Sequence, residues 1–247
     1  MPRFPDATAD HHRRMHALSE ATGPQSVHET AQQYPLYAEE YVLARFVMIA
    51  DLLRSTLEVP GNVAELGSWR GANVVHMAKL LRVFDAHSPK RVHCFESFAG
   101  LHDFDEHDGS AAEQFRGTHQ GSKEHLLAVI EAFDLGREIV IHDGDLVETL
   151  PRALAESAGL RFSFVYLDLD LHRATAVALA RLHDRLNPGG LFVLDEYGWD
   201  ELPGETHAVH EFLAEHGDDY DMRYLRATRQ PTLALRKRNG PEAENRR

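Results

Sequence analysis

Four carboxylates stand where two apolar segments end, and they are the residues of this chain best suited to chemistry. Asp168 and Asp170 follow one segment, and Asp195 and Glu196 follow the next. Residues two apart in a strand point to the same side, so Asp168 and Asp170 can share one space. Clustered carboxylate oxygens are the ligands that Mg²⁺, Ca²⁺ and Mn²⁺ prefer. The pattern predicts a divalent-cation site; the alternative is solvated strand ends, with Asp170 capping the following helix.

A second group of candidates surrounds the turn after the first apolar segment, and we expect it to bind a small ligand: Glu65, Gly67, Ser68, Trp69 and Gly71. The glycines allow a tight turn and a close approach of the ligand to the backbone. A dinucleotide site would need G-x-G-x-x-G, but Trp69 occupies the place of the middle glycine. Glu65 favours a cationic partner, such as the α-amino group and sulfonium of S-adenosylmethionine (SAM). The alternative is an ordinary strand-to-helix turn.

Two further apolar segments end in residues that suit a nucleoside. Glu96 is placed to accept hydrogen bonds from both ribose hydroxyls, and Ser97 follows it. Asp143 and Gly144 are expected to contact the adenine, although Asp-Gly is also a common turn. These four residues indicate a nucleoside ligand without separating SAM from NAD.

Alternating apolar segments and helical patterns bring these chain positions to one edge of a sheet. Continuous apolar strands are buried on both faces, and the repeating β-α order predicts a Rossmann-like, doubly wound, mostly parallel α/β sheet of seven strands with an N-terminal helical extension. The expected strands span 62–66, 91–96, 139–142, 162–167 and 191–194, with closing strands near 222–225 and 232–235. The expected helices span 36–57, 71–84, 122–134, 173–187 and 204–216.

The sequence predicts one domain, large enough for an enzyme, with an additional segment at each end. Residues 1–34 are expected to form a loosely structured arm, 35–238 the domain, and 239–247 a frayed tail. The segment Asn187–Gly190 is expected to break the chain between a helix and a strand. The loop 99–121 is either a lid over the ligand or an ordinary mobile loop.

Composition excludes several classes of function. The 247 residues carry 26 basic and 39 acidic side chains, for a net charge of −13, which disfavours nucleic acid and anionic membranes as partners. The single cysteine, Cys94, excludes an intrachain disulfide and is expected to be buried. No signal peptide or membrane span is recognisable, so we expect a cytoplasmic protein. Homo-oligomerisation stays open, with the N-terminal arm available to pack on a second subunit.

Five motifs, in order, make the chain similar to the macrocin O-methyltransferase family, which includes the mycinamicin and novobiocin sugar O-methyltransferases. The similar segments are 64–71, 94–101, 144–151, 166–175 and 188–197, and the resemblance extends over about residues 36–235. It implies a class I SAM methyltransferase fold and Mg²⁺ dependence. It also implies methylation of a hydroxyl group, usually on a sugar of a natural product.

The resemblance also implies roles for individual residues. Asp168, Asp195 and Glu196 fall on the metal ligands, with Asp168 among the catalytic residues, and Asp170 falls on the general base. The cofactor positions of the family fall on Glu65, Gly67 and Glu96.

Two departures from the family pattern concern the site. Many members have Asp where Glu196 stands, and a longer carboxylate arm should still bind metal. Many have Tyr where His172 stands, so His172 is expected either to alter the substrate pocket or to supply a second base. The segment 202–206 resembles a less characterised branch, which leaves the acceptor unidentified.

Three other functions are alternatives to sugar O-methylation. A catechol-type methyltransferase uses similar metal chemistry on a phenolic diol. An NAD-dependent oxidoreductase shares the fold but requires the glycine pattern that Trp69 interrupts. A non-catalytic binding module would not need to keep the four carboxylates.

Overall fold

The computed structural model describes residues 7–23, 26–225 and 232–239, and within these ranges seven strands form one sheet. The spatial order is β3-β2-β1-β4-β5-β7-β6. The first five strands run parallel, and β7 pairs antiparallel with both β5 and β6. The strands are β1 Asn62–Leu66, β2 Val92–Glu96, β3 Ile139–Asp143, β4 Phe162–Leu167, β5 Leu186–Leu194, β6 Tyr220–Leu225 and β7 Thr232–Lys237. The predicted doubly wound, mostly parallel sheet is confirmed.

Helices cover both faces of this sheet. In the described ranges they are α1 Ala7–Thr22, α2 Val27–Gln32, α3 Glu40–Arg54, α4 Ala72–Phe84, α5 Lys123–Ala132, α6 Leu146–Glu156, α7 His172–Leu182 and α8 Gly204–His216. One apolar core lies between the sheet and α6, α7 and α8, and the other lies between the sheet and α3, α4 and α5. Successive strand residues enter opposite cores, as Val165 and Tyr166 do. The two cores fix the strand ends and therefore the side chains that follow them.

The order of the strands creates a crevice between β1 and β4. From this pair the chain extends outward to β3 on one side and to β5 on the other. Ligands of open α/β sheets bind outside the carboxyl ends of the strands at such a switch point. The residues that follow β1 and β4 therefore face the expected ligand site.

The strand β5 begins earlier than the sequence indicated. Leu186 already pairs with Phe162, and the register shifts before the regular pairing of Phe164 with Leu191. Proline is tolerated at such an irregularity because a ladder hydrogen bond is missing there. The expectation that Asn187–Gly190 separates a helix from a strand was therefore wrong: the segment belongs to the irregular first half of β5.

The helix α6 was not predicted from the sequence, because Pro151 lies inside it. A proline interrupts the helical hydrogen-bond pattern and normally ends a helix. Here Asp145 caps the start by accepting a hydrogen bond from the Val147 amide at 2.8 Å. Burial of one apolar face, including Leu150 and Leu154, stabilises the helix despite the proline.

The described part of the N-terminal arm is helical, which agrees with the predicted N-terminal helical extension, whereas the expectation of a loosely structured arm was wrong. Its helices are α1 and α2, and α2 begins with a capping box in which Ser26 and Glu29 accept each other's backbone amide hydrogens. The sequence of this arm has no clear apolar pattern that would predict a helix. In α2 no residue is buried, and the capping box defines where the helix begins. The predicted tail 239–247 lies outside the described residues except for Asn239, and the domain boundaries stay predictions.

Two further expectations concern single features. Cys94 is fully buried, as predicted. In the described ranges, every helix is too short or too polar to cross a lipid bilayer.

Candidate active site

A cavity of about 400 Å³ lies at the carboxyl ends of the parallel strands. The predicted residues that line it are Gly67, Trp69, Glu96, Ser97, Gly144, Asp168, Asp170, Asp195 and Glu196. Five other predicted residues do not line it: Glu65, Ser68, Gly71, Asp143 and His172. The cavity therefore joins the carboxylates after β4 and β5 to the turn after β1.

The carboxylates after β4 and β5 converge as their spacing predicted. Asp168, Asp195 and Glu196 each place one oxygen so that the three atoms lie within 4.8 Å of one another. Asp195 and Glu196 are each only 5% exposed. That these oxygens hold a metal ion stays a prediction, and the donor set is the one that hard divalent cations prefer.

Burial and mutual repulsion oppose the charged forms of these groups. Burial raises the pKa of Asp168 well above its ordinary range, and the neighbouring Asp195 and Asp170 raise it further. Burial and then Asp195 raise the pKa of Asp170 to about 7. The pKa of Glu196 is also raised, by burial first and then by Asp170 and Asp195. A cation at this position would restore the charged forms.

Arg45 supplies one such cation from the chain itself. This residue of α3 lines the cavity. Burial lowers its pKa, but the surrounding acidic groups, of which Asp195 has the largest effect, together outweigh burial and raise the pKa above the ordinary value. Arg45 therefore offsets part of the negative charge of the acidic cluster. The sequence gives one indication of this role: Arg45 is a single basic residue in a mainly apolar part of the predicted helix 36–57.

Two residues that were not predicted hold the carboxylates after β5 in place. The hydroxyl of the buried Tyr166 donates a hydrogen bond to Asp195 Oδ1 at 2.5 Å. Glu205, fully buried in the first turn of α8, accepts the Glu196 amide hydrogen at 3.0 Å. Its other oxygen has no hydrogen-bond partner among the described residues, and burial raises its pKa. These contacts fix the backbone and one side chain of the acidic cluster.

Asp170 is held by its backbone and does not cap α7. Its φ is 60°, in the left-handed region that Asp tolerates better than most residues. The first turn of α7 is satisfied instead by Asp108, whose Oδ1 accepts the His172 amide hydrogen at 2.7 Å. The capping alternative for Asp170 was therefore wrong, and the Asp170 side chain remains available to the cavity.

His172 lies outside the cavity lining, between two other carboxylates. Its Nδ1 is 2.9 Å from Asp105 and its Nε2 is 3.1 Å from Glu211. Burial lowers the pKa of His172, but hydrogen bonds to Asp105 and Glu211 outweigh burial and raise it. A ring with both nitrogens engaged away from the cavity is not placed to act as a second base, so the structure argues against that role.

Glu65 lies beneath the turn after β1. It is 1% exposed, and Asn73 donates a hydrogen bond to its Oε1 at 2.8 Å. Its other oxygen, Oε2, is buried without a hydrogen-bond partner among the described residues. Burial raises the pKa of Glu65 to about 8, although Asn73 and Arg45 oppose the shift. Such a carboxylate can accept a further cationic or hydrogen-bonding group.

Glu96 organises the turn as well as lining the cavity. Its Oε2 accepts the amide hydrogens of Ser68 and Trp69 at 2.6 and 2.7 Å. Its Oε1 accepts that of Phe98 at 2.8 Å. Oε1 also accepts a long hydrogen bond from the Ser97 hydroxyl at 3.5 Å. A carboxylate accepts about four hydrogen bonds, so the predicted ribose contact would replace this long bond.

The glycines of the turn are required for close contacts within the protein. A Cβ on Gly67, where φ is +79°, would lie 1.9 Å from the backbone oxygen of Asp168. A Cβ on Gly71 would lie 2.6 Å from the Leu126 side chain. The tight turn was predicted, but Gly71 makes room for α5 rather than for a ligand. Ser68 points inward and accepts a hydrogen bond from the Cys94 thiol at 3.3 Å.

Trp69 joins the turn to the loop 99–121. Its indole nitrogen donates a hydrogen bond to the Gln120 carbonyl at 3.1 Å, and its ring is 45% exposed. The loop contains two short 3₁₀ turns, Glu106–Asp108 and Ala112–Phe115. It contributes Gly100, Leu101, His102, Asp103 and His119 to the cavity lining. Whether this loop moves as a lid stays a prediction.

Of the two residues predicted to contact the adenine, Gly144 lines the cavity and Asp143 does not. Asp143 pairs with Lys123 at 2.7 Å and does not line the cavity. Gly144 does line it, together with Asp145, Leu146 and Val147 at the start of α6. The structure therefore offers the α6 N-terminus, rather than the Asp143 side chain, to a ligand at this end.

Known proteins with similar sequences are O-methyltransferases of Micromonospora and Streptomyces. The chain is 26% identical over 212 residues to mycinamicin III 3''-O-methyltransferase of Micromonospora griseorubida, covering 81% of this chain and 80% of that one. It is 26% identical over 216 residues to demethyldecarbamoylnovobiocin O-methyltransferase of Streptomyces niveus, covering 83% and 79%. These relatives align over most of both chains.

A solved structure agrees with this relationship. The calicheamicin methyltransferase CalS11 superposes with a TM-score of 0.81 and 26% identity, covering 94% of this chain and 93% of that one. The sheet and its flanking helices are those of class I SAM-dependent methyltransferases. The oxidoreductase alternative shares this fold, and the similarity to O-methyltransferases argues against it.

The family model for macrocin O-methyltransferase (TylF) matches residues 7–228. This range contains the whole cavity and the acidic cluster. The protein therefore belongs to the TylF family of macrocin O-methyltransferases and is itself an O-methyltransferase.

Proposed function

We propose that the protein transfers a methyl group from SAM to a hydroxyl group on the sugar of a glycosylated natural product, with a divalent cation bound beside the acceptor. The observation that carries the proposal is the convergence of Asp168, Asp195 and Glu196 in the cavity that also contains Glu96 and the turn after β1. Acceptor and methyl donor would then meet in one enclosed space.

The three carboxylates fit a divalent cation, and we infer that Asp168, Asp195 and Glu196 hold Mg²⁺. Their oxygens are hard donors, and the burial of Asp195 and Glu196, with Asp168 half-buried beside them, makes the uncompensated charge costly. When bound, such an ion lowers the pKa of a coordinated hydroxyl. Tyr166 and Glu205 would keep Asp195 and Glu196 oriented toward it.

Asp170 is the proposed general base. Its carboxylate lines the cavity beside the acidic cluster, and its burial there favours the uptake of a proton. It would accept the proton of the acceptor hydroxyl on a carboxylate oxygen. The acceptor oxygen would then take the methyl group as the carbon–sulfur bond of SAM breaks, with S-adenosylhomocysteine as the leaving group. The fixed left-handed backbone at Asp170 positions this carboxylate before the substrate arrives.

The cofactor is proposed to bind along β1, β2 and β3. SAM, when bound, supplies the sulfonium methyl group. Glu65, with one unpartnered buried oxygen, would attract its ammonium group, and Arg45 would attract its carboxylate. Glu96 would accept a hydrogen bond from the ribose, and Gly144 would lie against the adenine.

The substrate class comes from the relatives. Their names specify mycinamicin III and demethyldecarbamoylnovobiocin as methyl acceptors. Residues of the loop 99–121 and Trp199 also line the cavity. Sugars commonly pack against aromatic rings of this kind, so Trp199 is the proposed contact for the sugar ring.

The test is a methyl-transfer assay with SAM and a panel of glycosylated acceptors, with simple catechols as a second panel. We expect methyl ethers on sugar hydroxyls, loss of turnover in EDTA and recovery with Mg²⁺. Asp168→Asn should reduce turnover by at least about 100-fold, and Asp170→Asn should do the same, whereas Glu131→Gln at an exposed site should not. Full turnover in EDTA would refute the metal dependence, and methylation of catechols alone would refute the acceptor class.

A further inference from the structure

A second cluster of potential metal ligands lies outside the cavity lining. Asp105, His107 and His172 each offer one ligand atom, and the three atoms lie within 4.8 Å of one another. Asp105 and His107 belong to the loop 99–121, whereas His172 begins α7. The cluster therefore bridges the loop and the helix that follows the acidic cluster.

The carboxylate of Asp105 contacts the imidazole rings of both histidines. His107 Nδ1 lies 3.1 Å from Asp105 Oδ1, and His172 Nδ1 lies 2.9 Å from Asp105 Oδ2. The two rings stack with their centroids 4.1 Å apart. Both histidines therefore turn the same nitrogen toward one small region beside Asp105.

His172 faces a second carboxylate on its other side. Its Nε2 lies 3.1 Å from Glu211 Oε2, on α8. A neutral imidazole has one donor nitrogen and one acceptor nitrogen, so a neutral His172 between two carboxylates would direct a lone pair at an oxygen. A second positive charge at the ring, either a proton or a metal ion, removes this conflict.

The arrangement of His172 is the one found at metal-ligating histidines. Such a histidine usually donates its other ring N–H to a carboxylate, which fixes the tautomer and the ring orientation. Glu211 stands in that position. A donor set of two imidazoles and one carboxylate suits Zn²⁺, in contrast to the all-oxygen set of Asp168, Asp195 and Glu196.

We propose that Asp105, His107 and His172 form a zinc site, with Glu211 orienting His172. The side chains of His172, Asp105 and His107 are 13%, 32% and 37% exposed, so an ion can reach them from solvent. This site is separate from the proposed Mg²⁺ site and does not depend on it.

A zinc ion at this position would brace the cavity wall. The buried Asp108 already joins the loop to α7, because its carboxylate accepts the amide hydrogens of Asp105 and His172 at 2.7 Å each. Residues 100–103, directly before the cluster, line the cavity. The ion adds a second connection between this wall and α7.

The experiment measures zinc binding to the full-length, metal-free protein by competition with a chromophoric chelator. Excess Mg²⁺ is present to occupy the oxygen site, and ZnCl₂ is the probe. We expect one equivalent of tight binding, weakened at least about 100-fold by His107→Gln and about 10- to 100-fold by Glu211→Gln. Matched controls are His125→Gln at an exposed position of α5 and His216→Gln, in a separate cluster with His183 and Asp219.

Three results would overturn the proposal. The first is the absence of tight zinc binding, which would leave a proton as the charge on His172. The second is equal affinity of the wild type and His107→Gln, with thermal unfolding showing that the variant is folded. The third is loss of binding in His216→Gln instead, which would place the ion in the other cluster. Methyl transfer is not part of the readout, so failure here leaves the proposed function untouched.

Discussion

Replacing Glu65 by glutamine should change how the stability of the ligand-free protein depends on pH. Glu65 is 1% exposed, and burial raises its pKa from 4.5 to about 8. Glutamine has nearly the same shape, and its side-chain oxygen can still accept the hydrogen bond from Asn73. The variant therefore removes the ionisation and little of the packing.

The sign and size follow from proton linkage. Because the pKa of Glu65 is higher in the folded than in the unfolded state, its contribution is fully present below about pH 4.5. The contribution is lost as the pH rises toward about 8. Each pH unit in this window lowers the free energy of unfolding by about 1.4 kcal/mol for this one carboxyl. From about pH 5.5 to about pH 7.5 the loss is about 2.7 kcal/mol, or roughly 5–10 °C in Tm.

Urea unfolding at a series of pH values measures this difference directly. We expect the wild type to lose about 2.7 kcal/mol more than Glu65→Gln over that interval. Glu131→Gln, at an exposed position of α5, is the matched control and should follow the wild type. Profiles of the wild type and Glu65→Gln that stay parallel within about 0.5 kcal/mol would refute the reasoning.

Two further substitutions test the turn after β1 and the cation that the chain supplies. Gly67→Ala should lower the free energy of unfolding by about 2–4 kcal/mol, because its Cβ would meet a backbone oxygen at 1.9 Å and its φ is +79°. Gly136→Ala, where no atom lies within 4 Å, should change stability little in the same urea assay. Arg45→Met should lower the Tm of the metal-free protein and enlarge the rise in Tm caused by Mg²⁺, since the carboxylates lose their internal cation. An unchanged Mg²⁺ response, measured by calorimetry, would show that Arg45 does not compensate the cluster.

The sheet and its acidic edge could be predicted because they depend on short-range patterns. β1 and β4 are short, mainly apolar segments, and their predicted bounds agree with the structure residue for residue. Parallel neighbours end at one edge, so the side chains after β4 and β5 had to meet. The spacing of Asp168 and Asp170 therefore carried information about the site.

The remaining features depend on tertiary packing that the sequence does not display. Arg45 reaches the acidic cluster only because α3 packs beside β1 and β4, and nothing in its local sequence specifies that position. In the sequence Glu205 is an ordinary acidic residue in the first turn of a helix. Only the structure shows that its carboxylate accepts the Glu196 amide hydrogen. The two carboxylates beside His172 lie far from it in the sequence. Asp105, in the loop, is 67 residues away, and Glu211, in α8, is 39 residues away.

Diffraction from a crystal soaked with MnCl₂, collected near the manganese absorption edge, tests the central proposal most directly. We expect an anomalous peak within ligand distance of the carboxylate oxygens of Asp168, Asp195 and Glu196. An ordered acidic cluster without a peak, at a concentration that saturates the enzyme, would contradict it.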